Sequence, residues 1–166
     1  MAYEGELLDQ CSIMTLDYSR AMMVAVSGDG PNVCGHMIVG FSGKSGFTYF
    51  HVAQVYGRPR YMSEDGFKRY LSETGKQQLG VSFINLPDAE GAQSYLCKLM
   101  GKKWAWGVIP NNCVAFIEEI LAAGGAQWSS VSNCPAVAIK PPVTVQINNL
   151  LNDLNRSIYR YYGLPY

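Results

Sequence analysis

Histidine is scarce in this chain, with His36 and His51 the only two among 166 residues. A metal site resting on imidazole would have to be completed from an unusual set of ligands. The cysteines do not fill that role. Cys11, Cys34, Cys97, Cys113 and Cys134 are widely spaced and form no CxxC pair. That pattern excludes a zinc ribbon and spells out no disulfide framework, and the odd number leaves at least one thiol over. The sequence therefore predicts no metal and no cofactor. Excess charge is missing too, since Lys plus Arg and Asp plus Glu number 13 each. Nothing points to nucleic acid or an acidic lipid surface as a partner. The basic group Arg58, Arg60, Lys68 and Arg69 reads as a solvated rim. No run approaches the ~20 apolar residues of a membrane span. The opening MAYEGELLDQ is acidic where an export signal starts basic. The expectation is a soluble protein with no transmembrane segment and no signal peptide, cytoplasmic in the producing cell unless a dedicated secretion system exports it.

What is present is an ordinary globular composition, 48% hydrophobic, enough for one substantial core. Residues 21–27 (AMMVAVS) read as a buried strand closed by Gly28-Asp29-Gly30-Pro31. Residues 36–41 (HMIVGF) and 46–53 (GFTYFHVA) are two more strands, joined by the turn GKSG. Ser63 before Glu64 and Asp65 predicts an N-capped helix. Residues 79–85 predict a fourth strand, and Pro87 starts a helix that stops near Gly101. Residues 113–123 (CVAFIEEILAA) form a further helix. Beyond it, 135–147 reads as extended, and 147–162 as an amphipathic helix with Leu150, Leu151, Leu154 and Ile158 on one face. The fold class is α+β: one catalytic domain over 1–166, its core at 21–123, with a C-terminal extension and helix over 135–166. An antiparallel sheet packs against the helix that carries Cys113.

That helix start is where the chemistry concentrates. Asn112 suits an N-cap, so Cys113 falls at the first helical position. The open N–H groups and the positive end of the helix dipole there favour thiolate over thiol. Phe116, Ile117, Ile120 and Leu121 share the face of Cys113, which turns the sulfur toward the sheet. Buried packing is the competing role, because cysteine is among the most buried residue types. His36 opens one strand and His51 lies in the next, so the GKSG hairpin brings the two imidazoles toward one end. A nucleophile, a base within hydrogen-bond reach and a third group orienting the base make a cysteine catalyst. Cys113, His36 and His51 can take those three roles. Trp104 and Trp106, together with Asn112, are candidates for lining a substrate groove.

The order Gly35-His36-Met37-Ile38-Val39-Gly40, then Phe50-His51, then Asn112-Cys113-Val114-Ala115-Phe116 resembles the circularly permuted papain-like hydrolases. These comprise the permuted NlpC/P60 group and the lecithin:retinol acyltransferase-like enzymes. In both, the histidine strands precede the cysteine helix, and a motif close to N-C-x-x-F opens that helix. The resemblance implies a papain-like NlpC/P60 fold and a thiol protease or amidase acting through a thioester. It also implies a peptide or cell-wall (peptidoglycan) substrate. A short domain of this kind suits a secreted bacterial effector toxin held in check by an immunity or inhibitor protein. The second branch implies a lipid acyltransferase or phospholipase with the same residues. A non-catalytic binding domain is the reading from outside enzymology.

Other chemistries fail on spacing. Gly43-Lys44-Ser45 has Ile38 where a phosphate-binding loop needs glycine. Neither Ser42 nor Ser45 lies in a G-x-S-x-G elbow. Asp29, Glu118 and Glu119 read as solvated carboxylates rather than an acid–base pair.

Overall fold

The computed structural model describes residues 2–8, 15–28, 35–52, 56–105 and 112–126. The strands are β1 (Leu16–Val26), β2 (His36–Gly43), β3 (Gly46–His51), β4 (Tyr56–Gly57), β5 (Arg60–Met62), β6 (Gln78–Asn85) and β7 (Trp104–Ala105). The helices are α1 (Glu64–Thr74), α2 (Ala89–Met100) and α3 (Asn112–Ala123). Five strands form one antiparallel sheet in the order β5-β3-β2-β1-β6, and β4 pairs separately with β7. The protein is thus α+β, with a five-stranded antiparallel sheet and three helices.

The hairpin between β2 and β3 turns at Lys44–Ser45, and Gly46 takes the positive φ that closes it. α1 begins where the sequence indicates, with the Ser63 hydroxyl accepting from the Gly66 N–H, and it ends on left-handed Gly75. α2 is capped by Asp88 rather than opened by Pro87. β1 starts five residues earlier than expected, at Leu16, and its pairing with β2 shifts between Asp17 and Met22. Such an irregularity escapes a reading based on alternation alone.

Alternation along the strands sorts the core into two layers. Met22, Val24 and Val26 of β1, Ile38 of β2 and Tyr49 of β3 pack with Phe67 and Tyr70 of α1. Met23, Met37, Val39, Phe41 and Phe50 turn the other way, onto Leu96 and Leu99 of α2 and Phe116, Ile117 and Ile120 of α3. α3 lies across β2 and β3, and α2 across β1. β2 is therefore covered on both faces, with residues 36–41 all buried.

Gly35 delivers the chain into β2 directly before His36. Its φ is +72°, and a Cβ there would run into the Val26 carbonyl oxygen. Gly35→Ala combines left-handed strain of about 1–2 kcal/mol with that collision. We expect the variant to lose about 2 kcal/mol or more of unfolding free energy, measured from its urea midpoint; an unchanged midpoint would contradict the close approach.

Candidate active site

The two histidines come from adjacent strands. The β2–β3 register sets Val39 opposite Phe50, which makes His36 and His51 diagonal neighbours on one face once that register is carried forward. Their rings meet: His36 Nε2 lies 2.9 Å from His51 Nδ1. The other nitrogen of His51, Nε2, is 2.9 Å from the backbone carbonyl oxygen of Glu4. The His51 ring also stands edge-on to Tyr70 of α1, with centroids 5.4 Å apart. The pair therefore belongs to the α1 side of the sheet.

Hydrogen-bond bookkeeping fixes the protons. A carbonyl oxygen only accepts, so His51 Nε2 carries hydrogen and donates to Glu4. Neutral His51 then accepts at Nδ1, which requires His36 to donate from Nε2. The nitrogen left without a proton is His36 Nδ1. That atom is the basic one.

Burial dominates the electrostatics. His51 is fully enclosed and His36 is 8% exposed. Desolvation pulls the His36 pKa well below its usual value, and the nearby His51 and Lys76 add to this. Desolvation lowers His51 to about 4; the Glu4 carbonyl opposes that shift, while Arg60 and Lys76 reinforce it. Both rings are neutral at physiological pH.

Cys113 lies in the first turn of α3, which starts at Asn112, so the cysteine stands one position further in than expected. It is a thiol, not a disulfide. The sulfur is directed inward, as the spacing of Phe116, Ile117 and Ile120 indicates, and the residue is 1% exposed. The expected lowering of its pKa is overturned. Burial pushes the thiol up to about 11, outweighing the backbone N–H groups of Met37, Val114 and Cys113 that favour the thiolate. A helix start lowers a thiol pKa when the sulfur is solvated; here desolvation is the larger effect. The Met37 contribution places the sulfur beside the main chain of the residue that follows His36.

The structure thus joins His36 to His51 directly and sets Cys113 against the adjoining backbone. Trp104 pairs with Gly57 through the short β4–β7 ladder, and Asn112 is the first residue of α3. Trp106 and the extension 135–166 lie outside the described residues. Two features were missed in the sequence. One is the Glu4 carbonyl, which has no side-chain signature. The other is Cys97, which is disulfide-bonded although no cysteine spacing announces a framework. Among the described residues no cluster of His, Cys, Asp and Glu is arranged to hold a metal ion, and no helix is long and apolar enough to cross a membrane.

No protein-family model matches the chain, and neither a curated protein nor a solved structure matches it.

The buried histidines make stability depend on pH in a defined direction. In the unfolded chain histidine titrates near 6.5, above the folded value of about 4 for His51. The unfolded state therefore binds the proton first, and stability present above about pH 6.5 is lost as pH falls toward 4. At about 1.4 kcal/mol per decade of proton activity, His51 alone accounts for a loss of about 3 kcal/mol. Urea midpoints taken from about pH 7.5 down to about pH 4.5 should fall steeply in wild type and less steeply in His51→Gln. Equal slopes would contradict the burial of a neutral ring.

Proposed function

We propose that the protein is a cysteine hydrolase that cleaves amide bonds through a thioester, with Cys113 as nucleophile, His36 as base and His51 orienting His36. One observation carries the reading: the Glu4–His51–His36 chain leaves His36 Nδ1 as the unprotonated nitrogen. Nδ1 is the ring nitrogen nearest the main chain, and the Cys113 sulfur adjoins the main chain at Met37.

In the resting state thiol and imidazole are both neutral. The pKa near 11 describes a buried sulfur losing its proton with no new charge beside it. Transfer to His36 instead creates adjacent opposite charges, which offset each other's desolvation. Cys113 Sγ attacks the carbonyl carbon as its proton passes to His36 Nδ1. The backbone N–H of Cys113, at the start of α3, is the natural donor to the developing oxyanion. The C–N bond breaks as His36 returns the proton to the leaving amine, and the acyl group remains as a thioester. Water then attacks the thioester with His36 again as base, releasing acid and thiol. His51 accepts from His36 Nε2 throughout and holds the imidazolium in place.

The permuted papain-like fold belongs to the same proposal. It is supported by the order of histidine strands before the cysteine helix and by α3 lying across β2 and β3. Within it we favour peptidoglycan peptides as substrate and a secreted effector as the setting, with an immunity protein as partner. A second reading has its own observation. Cys113 at 1% exposure is what a packing residue looks like, and in that case the domain binds rather than cleaves.

Site-resolved iodoacetamide modification against pH separates the two. A dyad gives preferential reaction at Cys113 near neutral pH, at a rate that falls by at least about tenfold in His36→Ala, because His36 takes the thiol proton as the sulfur attacks. Slow modification, identical in both proteins, would leave Cys113 a packing residue and end the hydrolase reading. With muropeptides as substrate, wild type should release new amino termini. Cys113→Ala, folded by circular dichroism, should lose that release by at least about 10³-fold. Cleavage unaffected by Cys113→Ala would rule this residue out as the nucleophile.

A further inference from the structure

We propose that the N-terminal segment, residues 2–8, is the positioning element of the histidine pair: it holds the Glu4 carbonyl against His51 and so decides which nitrogen of His36 is free to act as base. The proposal rests on the hydrolase reading of the site and adds to it a control that lies outside the nucleophile and base.

The two neutral tautomers of an imidazole are close in energy, and a partner on one nitrogen selects between them. For His51 that partner is main chain from a segment 47 residues away in sequence. Without the carbonyl, His51 is free to carry its proton on Nδ1. His36 Nε2, facing that hydrogen at 2.9 Å, would then have to accept it. The His36 proton would sit on Nδ1, turning the proposed base into a donor. The position of residue 4 is therefore a chemical setting of the site.

The segment is clamped on both sides of Glu4. Glu6 and Tyr61 of β5 exchange two backbone hydrogen bonds, of 2.8 and 2.9 Å. Arg60 Nη1 donates to the Gly5 carbonyl at 2.8 Å, and Arg58 Nη2 to the Leu8 carbonyl at 2.6 Å. On the other side, the Tyr3 N–H donates to Glu73 of α1 at 2.7 Å, and the Arg69 guanidinium lies over the Tyr3 ring. Gly5 permits the close seating. Its φ is +93°, and a Cβ would stand 2.7 Å from the Tyr61 carbonyl oxygen and 2.9 Å from Met62 Cγ. Apart from Arg58, which precedes β5, the anchors lie on β5 and α1, the neighbours of the strand that carries His51.

Long-range proton–nitrogen NMR of the ¹⁵N-labelled histidines in the resting, substrate-free protein, at a pH where both rings are neutral, reads the tautomers directly. Wild type should show pyrrole-type Nε2 and pyridine-type Nδ1 in both rings. Gly5→Val should convert His51 to a mixed pattern, with His36 following. Arg60→Gln, which loosens one clamp, should move both rings in the same direction. Glu4→Ala keeps the carbonyl and should leave the wild-type pattern intact. Pure Nε2–H tautomers in a folded Gly5→Val protein would overturn the proposal, as would a change of tautomer in Glu4→Ala. If Gly5→Val does not fold, Arg60→Gln decides by the same criterion. The tautomer result stands even if no amide is cleaved, because no substrate is involved. Conversely, Cys113-dependent cleavage at an undiminished rate in folded Gly5→Val sinks the positioning role alone.

Discussion

The two-sided burial of β2 is the constraint from which the site follows. Six consecutive residues, 36–41, are buried, because α1 covers one face of the sheet and α2 with α3 the other. Over those six residues the strand has no solvent-facing side chains and is held between neighbouring strands on both edges. Its faces cannot be exchanged without moving a whole set of apolar side chains into the wrong layer. Alternation therefore assigns His36 to the α1 layer as firmly as it assigns Met37 to the α3 layer. His51 joins the same layer from β3 and touches Tyr70.

Low polarity then shapes the chemistry in two opposing ways. It removes the charge from both imidazoles and keeps the thiol protonated, so no preformed thiolate–imidazolium pair is expected at rest. The same environment makes each hydrogen bond to a ring nitrogen more decisive, since no water competes for it. In such a site the proton positions follow from which neighbours accept and which donate. A single carbonyl oxygen outranks the formal charges of Lys76 and Arg60, which shift the pKa values without choosing a nitrogen.

Much of this was legible in the sequence, and the remainder was not for specific reasons. The hairpin of β2 and β3, the Ser63 cap, β6 and the helix bearing Cys113 all announce themselves through alternation, turn residues or helical spacing. The closeness of His36 and His51 follows from the GKSG turn, because a short loop fixes the register and hence the diagonal neighbours. The start of β1 at Leu16 did not show, since its pairing shifts between Asp17 and Met22 and breaks the period. The direction of the thiol pKa shift is not legible, because a helix start and a buried face are both visible at Cys113 and their relative weight depends on how completely the tertiary structure encloses the sulfur. The contact with Glu4 had no signal at all: a main-chain oxygen looks the same at every residue.

The sheet itself stands between Cys113 and the proposed base. α3 approaches from the layer of Met37, while the His36 ring belongs to the layer of Ile38, so in mid-strand the backbone would separate a sulfur on one side from an imidazole on the other. His36, however, is the first residue of β2, and the β2–β3 ladder ends at Val39 and Phe50. Beyond that pair the two strands no longer bond to each other along the ladder, and a group from the α3 side can reach the main chain at Met37, as the sulfur does. Nδ1, the ring atom nearest the backbone, is the part of His36 best placed to meet it there. A dyad drawn from opposite layers is thus possible only at a strand end, and it requires the nitrogen close to the main chain to be the basic one. The Glu4–His51–His36 chain leaves that nitrogen unprotonated, which ties the proposed chemistry to the topology of the sheet.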